Sequence, residues 1–219
     1  NVLGTINVLE YVKKNPNIHL IFTSSAYVYG EPSFVPITEN HPTNPKHPYG
    51  LSKLTAERYI EIYHAIFGIN YTIFRLFNVY GPGQSMGYVI PDFIHRAAQL
   101  KRTGSKEFII KSSPKVVRDF VYVEDVINAF IRAVEQGPFN TVINICSGIP
   151  TTIENLAKLI LKTMNLAEMK IKFKYKETEK VSVLYGSYNK ALRLLNWKPI
   201  INLEEGIKRT ISSISVYQK

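Results

Sequence analysis

The sequence predicts an α/β protein built on a doubly wound parallel sheet, followed by a small α/β C-terminal lobe. Three observations carry that prediction. Short, nearly all-apolar runs at Ile18 to Thr23, Tyr71 to Arg75 and Val142 to Cys146 have the length and β-branched or aromatic content of buried parallel strands. Longer stretches lie before and between them, with apolar residues at the three- and four-residue spacing of helices. At 219 residues, with 45% hydrophobic and 20% charged content, the chain can bury a sizeable core.

Taken in order, Val2 to Lys14 places Val2, Ile6, Leu9 and Val12 on one side and ends at Asn15-Pro16, as a helix should. The strand Ile18 to Thr23 then delivers Ser24 and Ser25 at its carboxyl end, where open α/β sheets bind ligands. Either serine could instead cap a turn. Residues 31 to 48 hold five prolines in a polar setting and predict a loop. A Pro-free helix from Ser52 to Phe67 and the strand Tyr71 to Arg75 follow. Gly81 to Gly83 would form a Gly-Pro turn under any function.

Helical spacing resumes from Val89 to Lys101, with Phe93, Ala97 and Leu100 on its apolar face, and Phe108 to Lys111 reads as a short strand. Arg118 to Val123 alternates polar and apolar and predicts a strand with an exposed side. Asp125 to Gln136 reads as a helix with Glu124 and Asp125 at its positive end. After the strand Val142 to Cys146, Thr151 or Thr152 caps a helix running to Met164, and Ile171 to Tyr175 alternates like a strand. The helices Asn189 to Leu195 and Leu203 to Ile214 close the chain, with Trp197 as a packing residue between them.

No apolar run approaches the ~20 residues of a membrane span, and the first residues lack a signal pattern. A soluble, cytoplasmic protein without membrane contacts is expected. The single cysteine, Cys146, sits in an apolar run and reads as a buried structural thiol. The five histidines are scattered, and no cluster has metal-ligand spacing, so no metal is expected. The net charge of +10 is spread along the chain rather than massed with aromatic residues. A nucleic-acid partner is therefore not expected.

Chemistry enters with Pro48-Tyr49-Gly50-Leu51-Ser52-Lys53. Tyr49 and Lys53 are four apart and share a helix face, which sets an ammonium beside a phenol. A phenol titrates near ~10, and work as a base at neutral pH needs a drop of roughly three units, about 4 kcal/mol. One cation at ~4 Å in an effective dielectric near 20 supplies about that much. With 14 tyrosines in the chain, the pair alone is weak evidence, and a packed Tyr beside a solvated Lys would look the same. Arg118 is similarly open, since it could simply pair with Asp119 or another acid.

The wider pattern is more specific. Asn1-Val2-Leu3-Gly4-Thr5-Ile6-Asn7, Thr23-Ser24-Ser25-Ala26-Tyr27-Val28-Tyr29-Gly30, Pro48-Tyr49-Gly50-Leu51-Ser52-Lys53, Arg75-Leu76-Phe77-Asn78-Val79-Tyr80-Gly81-Pro82 and Arg118-Asp119-Phe120-Val121-Tyr122-Val123-Glu124-Asp125 follow one another in a familiar order. Together they resemble the extended short-chain dehydrogenase/reductase family, in particular its nucleotide-sugar epimerases.

The resemblance implies an incomplete Rossmann-like sheet, with 1–85 as the later part of an NAD-binding domain. It makes 86–219 mainly a substrate lobe, with 117–148 returning to the sheet. No Gly-x-Gly-x-x-Gly turn follows a strand, so the chain is expected to be the later two thirds of a longer protein. NAD is the implied cofactor, a UDP-sugar the implied substrate, and epimerisation at C4 of a UDP-hexose the implied reaction. A nucleotide-sugar reductase or dehydratase of the same family is the alternative, and a non-catalytic nucleotide-sugar or nucleic-acid binding module is the alternative from another class.

By resemblance, Tyr49, Lys53 and Ser25 are catalytic, and Asn1, Ser24, Tyr49, Lys53 and Phe77 contact the cofactor. Ser25, Tyr49, Asn78 and Arg118 contact the substrate. An oxidised nicotinamide would add a second positive charge beside Tyr49. The resemblance also implies a homodimer through the helices at 2–14 and 52–67.

Three positions depart from the family pattern. Ser112-Ser113-Pro114 stands where Gly-Asp-Gly is usual, and Ser187-Tyr188-Asn189-Lys190-Ala191 where Asp-x-Ser-Lys-Ala is common. Ala26-Tyr27 replaces the Asp-Glu that serves water elimination in dehydratases, which places epimerisation ahead of elimination.

Overall fold

The structure, a computed structural model, describes residues 1–15, 17–176, 178 and 181–216. Helix α1 (Val2–Lys13) leads to β1 (His19–Ser25) and a 3-10 turn at Ala26–Val28. Helix α2 (Pro48–Phe67) then crosses to β2 (Asn70–Leu76). The helix begins one turn before Ser52 because Pro48 occupies its first position, where a missing N–H costs nothing. Tyr49 and Lys53 therefore both lie within α2.

The short strand β3 (Asn78–Tyr80) precedes α3 (Val89–Thr103) and β4 (Glu107–Ile110). The stretch expected to be one strand with an exposed side is two: β5 (Val117–Arg118) and β6 (Phe120–Tyr122), with all of Phe120–Tyr122 buried. Asp119 breaks them apart because its carboxylate turns inward to collect hydrogen bonds from two other loops. Helix α4 (Val123–Gln136) and β7 (Thr141–Ile145) follow. The rest is β8 (Thr151–Thr152), α5 (Ile153–Thr163), β9 (Lys170–Phe173), β10 (Val183–Leu184), α6 (Asn189–Leu195) and α7 (Leu203–Val216). Thr152 caps α5 by accepting from Asn155 N at 3.1 Å.

The main sheet has the order β1-β2-β7, all parallel, with Ser24 opposite Arg75 and Arg75 opposite Asn144. Strand β2 is central, so both of its faces are covered. Tyr71 and Ile73 pack with Leu9, Val12 and Ile60 of α1 and α2, while Phe74 packs with Val126, Ala129 and Ala133 of α4 and with Trp197. Within 117–148, only β7 joins this sheet. Strand β6 pairs with β3, and β5 lies between β10 and β8. A second core forms where α3, α5 and α7 enclose Phe93, Phe108, Leu156, Ile160 and Ile207. Among the described residues, no helix is long and apolar enough to cross a membrane.

Candidate active site

A cleft of about 1050 Å³ opens at the carboxyl ends of β1 and β2. Thr23, Ser24, Ser25, Tyr49, Lys53 and Phe77 line it together with Asn78, Gly81 to Ser85, Tyr88 and Arg118. Such a volume sits at the top of the range for small-molecule sites.

Parallel pairing of β1 with β2 places both serines at the strand end. Ser25 is buried and caps the following 3-10 turn, its Oγ accepting from Tyr27 N at 3.2 Å. The hydroxyl proton of Ser25 is thus left to donate. The Ser24 hydroxyl turns away, donating to Glu57. Ser24 consequently offers the cleft backbone rather than a free hydroxyl.

Tyr49 is half-exposed on the first turn of α2. Its neighbour Gly50 allows that turn to approach the 3-10 turn after β1, since a Cβ there would lie 2.6 Å from Tyr27 O. One helical turn on, Lys53 donates to Thr23 O at 2.7 Å, with Nζ 4.9 Å from the Phe22 ring centroid and 6.0 Å from that of Tyr49. Burial pushes the Lys53 ammonium below its ordinary value. One of its three N–H bonds goes to Thr23, leaving donors for a ligand.

Phe77 is 4% exposed, and Gly186 lets the chain close over it, because a Cβ there would meet the Phe77 ring at 2.5 Å. Asn78 donates from Nδ2 to Asp119 O at 2.9 Å, which fixes its amide at the cleft wall. Arg118 donates from Nη1 to Val117 O at 2.8 Å and to Ser182 O and Oγ at 3.2 Å. It does not pair with Asp119. That carboxylate accepts from Ser147 N and Oγ at 2.7 Å, Gly148 N at 2.9 Å and Gly186 N at 3.2 Å. Among the described residues, Arg118 has no ion-pair partner. Burial lowers its affinity for its proton, and the nearby Tyr27 oxygen partly offsets this. A half-buried guanidinium held only by neutral groups is suited to an incoming anion.

Asn1 is the expected site residue that the structure leaves outside the cleft. Its Nδ2 donates to Ser52 Oγ at 2.9 Å, and Ser52 Oγ donates to Tyr49 O at 2.8 Å. Asn1 thereby ties the start of α1 to the start of α2.

Two residues beneath the site escaped the sequence reading. Glu57, fully buried one turn past Lys53, accepts from Arg75 Nε at 3.1 Å and Nη2 at 2.7 Å as well as from Ser24. Arg75 lies over the Tyr29 ring, and Tyr29 donates to Asn144 Oδ1 at 2.7 Å. Burial pushes the Tyr29 phenol up to about 12, against the lowering effect of Arg75. The signal available was an arginine closing an otherwise apolar strand, and a glutamate on the same helix face as Tyr49 and Lys53.

The family model of the NAD dependent epimerase/dehydratase family matches residues 1–146. A Methanocaldococcus jannaschii protein provisionally named UDP-glucose 4-epimerase is 40% identical over 216 residues, covering 97% of this chain and 68% of its own length. The structure of UDP-glucose 4-epimerase from Thermotoga maritima with UDP-glucose superposes with a TM-score of 0.87 at 34% identity, over 100% of this chain and 70% of that one. The structure of RMD from Pseudomonas aeruginosa complexed with NADPH gives a TM-score of 0.89 at 28% identity, over 99% and 73%.

Proposed function

The chain belongs to the NAD dependent epimerase/dehydratase family, and from that premise we propose that it supplies the acid–base and substrate side of a C4 epimerase acting on a UDP-hexose. The observation that carries this reading is one cleft lined by a phenol, a hydroxyl, an ammonium and a guanidinium that pairs with no carboxylate among the described residues.

In this account Tyr49 takes the proton from the C4 hydroxyl, and Ser25 donates a hydrogen bond to the same oxygen. Lys53 supports the charge on Tyr49 and holds a ribose hydroxyl with the donors it does not spend on Thr23. The donor set fits NAD: Thr23 and Ser24 backbone, the Lys53 ammonium and the Phe77 ring line the same cleft. When bound, NAD would take hydride from C4 and return it to the other face. Asn78 and the fork of Arg118 hold the diphosphate, where paired donors match paired oxygens. Residues 1–85 are proposed as the cofactor side, with 86–219 mainly the substrate side and 117–148 contributing to both.

A homodimer through α1 and α2 is part of the proposal. Leu3, Tyr11, Ile62 and Ile66 leave apolar surface open on these two helices, each more than half exposed. Such surface on adjoining helices is suited to a second copy.

Replacing Tyr49 by Phe in the intact protein tests the assignment. Turnover of UDP-glucose should fall by about 10² to 10⁴ while the melting temperature stays within a few degrees. A near-normal rate rejects Tyr49 as the base. Net consumption of NAD(P)H with each turnover would favour the reductase alternative instead.

A further inference from the structure

Tyr49, Lys53 and Glu57 are spaced four apart on α2 and share one of its faces. Two of them reach β1: Lys53 donates to Thr23 O at 2.7 Å, and Glu57 accepts from the Ser24 hydroxyl. Lys53 hangs on a flexible stem and keeps its other donors for a ligand. Glu57 does neither. Its carboxylate is gripped by the Arg75 fork, from Nε at 3.1 Å and Nη2 at 2.7 Å, and its side chain is wholly buried. The mechanism above gives it no part.

Arg75 is held in its turn. Its guanidinium lies 4.8 Å from the Tyr29 ring centroid, and Tyr29 donates to Asn144 Oδ1 at 2.7 Å. Asn144 then donates from Nδ2 to Ile37 O at 3.1 Å and from its backbone N to Glu39 at 2.8 Å. Ser24, Arg75 and Asn144 stand opposite one another on β1, β2 and β7. This polar row crosses the whole three-stranded sheet one residue before Ser25. Stability does not account for it, because a buried ion pair is often no better than apolar side chains of the same volume. What the row adds is a carboxylate that cannot move, with a strand hydroxyl on one side and the helix of Tyr49 on the other.

We propose that Glu57 is a positioning residue for the reaction: locked by Arg75, it holds the Ser24 hydroxyl and thereby fixes Ser25 on β1 at its working distance from Tyr49 on α2. The inference rests on the reading of Tyr49 and Ser25 as the two groups that meet the C4 hydroxyl. Glu57 touches neither of them and does not enter the cleft. It acts through Ser24, the residue before Ser25, and through two helical turns of α2. Loss of the tie lets strand and helix shift against each other, and reacting groups displaced by about 1 Å can lose about 10²-fold in rate. Grip on the diphosphate, which falls to Asn78 and Arg118, is left in place.

The test is a double-mutant cycle on kcat and KM for UDP-glucose, with melting temperatures alongside, in the intact protein. Its members are Ser24→Ala, the pair Glu57→Leu with Arg75→Met, and all three changes together. Ser24→Ala should lower kcat about five- to tenfold and the Leu/Met pair about thirtyfold or more, with KM within about threefold in each. The pair restores apolar packing, so its rate should stay low even as its melting temperature recovers, which a merely structural role does not allow. Ser24→Ala should cost no more than about twofold further once the pair is in place, because the bond it breaks is already gone. Ser24→Ala removes one buried oxygen and keeps the ion pair, so it decides the matter even where the Leu/Met pair folds poorly. A kcat for Ser24→Ala within about twofold of the unaltered protein, or the same loss from Ser24→Ala in both backgrounds, overturns the role of Glu57 while leaving the cleft reading intact. Failure of the unaltered protein to turn over UDP-glucose overturns both.

Discussion

Glu57 and Arg75 form a two-pronged ion pair inside the molecule, with side chains 0% and 5% exposed and Nη2 to Oε2 at 2.7 Å. Strand β2 places Arg75 opposite Ser24, and α2 places Glu57 one turn beyond Lys53, so the pair joins β2 to the helix that carries Tyr49 and Lys53, and Glu57 also holds Ser24 of β1. Besides its two mutual hydrogen bonds, the pair has two outside partners: Ser24 donates to Glu57, and the Tyr29 ring lies beneath the guanidinium.

Breaking that pair from one side should be costly. Arg75→Ala leaves a buried carboxylate without its cation, and such losses run to about 3–5 kcal/mol. For a chain of this size the melting temperature should drop on the order of 10 °C. The double variant Glu57→Leu, Arg75→Met should recover part of it. Thermal denaturation of the three proteins checks this, and an Arg75→Ala loss under about 1 kcal/mol would mean the pair is not what joins β2 to α2.

Lys53 makes a prediction in pH. Burial lowers its folded-state value, so just below the ordinary lysine value the unfolded chain binds one more proton than the folded one. Stability from this group therefore rises with pH in that window, and the folded ammonium is lost earlier than a free lysine would be. The alkaline limb of kcat/KM should begin below ~10.4, and Lys53→Arg, always charged, should move it upward at reduced rate. An alkaline limb unmoved by Lys53→Arg removes Lys53 from the reaction.

The open faces of α1 and α2 predict association. Ile66 is 66% exposed on α2, and Ile66→Glu should halve the molar mass seen by light scattering with little change in far-UV circular dichroism. A monomeric unaltered protein would contradict the dimer.

Much of the frame was legible because its signals are local. The apolar runs of β1, β2 and β7 and the spacing of α1, α3 and α5 follow from burial along single elements. Pro48 extended α2 backward and put Tyr49 inside the helix, a capping effect within reach of the sequence. The segment around Asp119 was not legible. Its carboxylate gathers donors from Ser147, Gly148 and Gly186, residues about 30 to 70 positions away, and only the folded chain brings them together. Glu57 and Arg75 were hidden for the same reason. Tyr27 was visible as a departure from the dehydratase pattern, but its edge-on contact with Tyr49 spans 22 positions and shows only in the fold.

The central claim is that the sugar is oxidised and re-reduced at C4 within one closed site. Turnover of UDP-[4-²H]glucose by the intact protein in ordinary water, followed by NMR, tests it most directly. The account predicts UDP-galactose with deuterium still on C4, carried off and handed back while Tyr49 manages only the hydroxyl proton. Product whose C4 deuterium has washed out into water would contradict it.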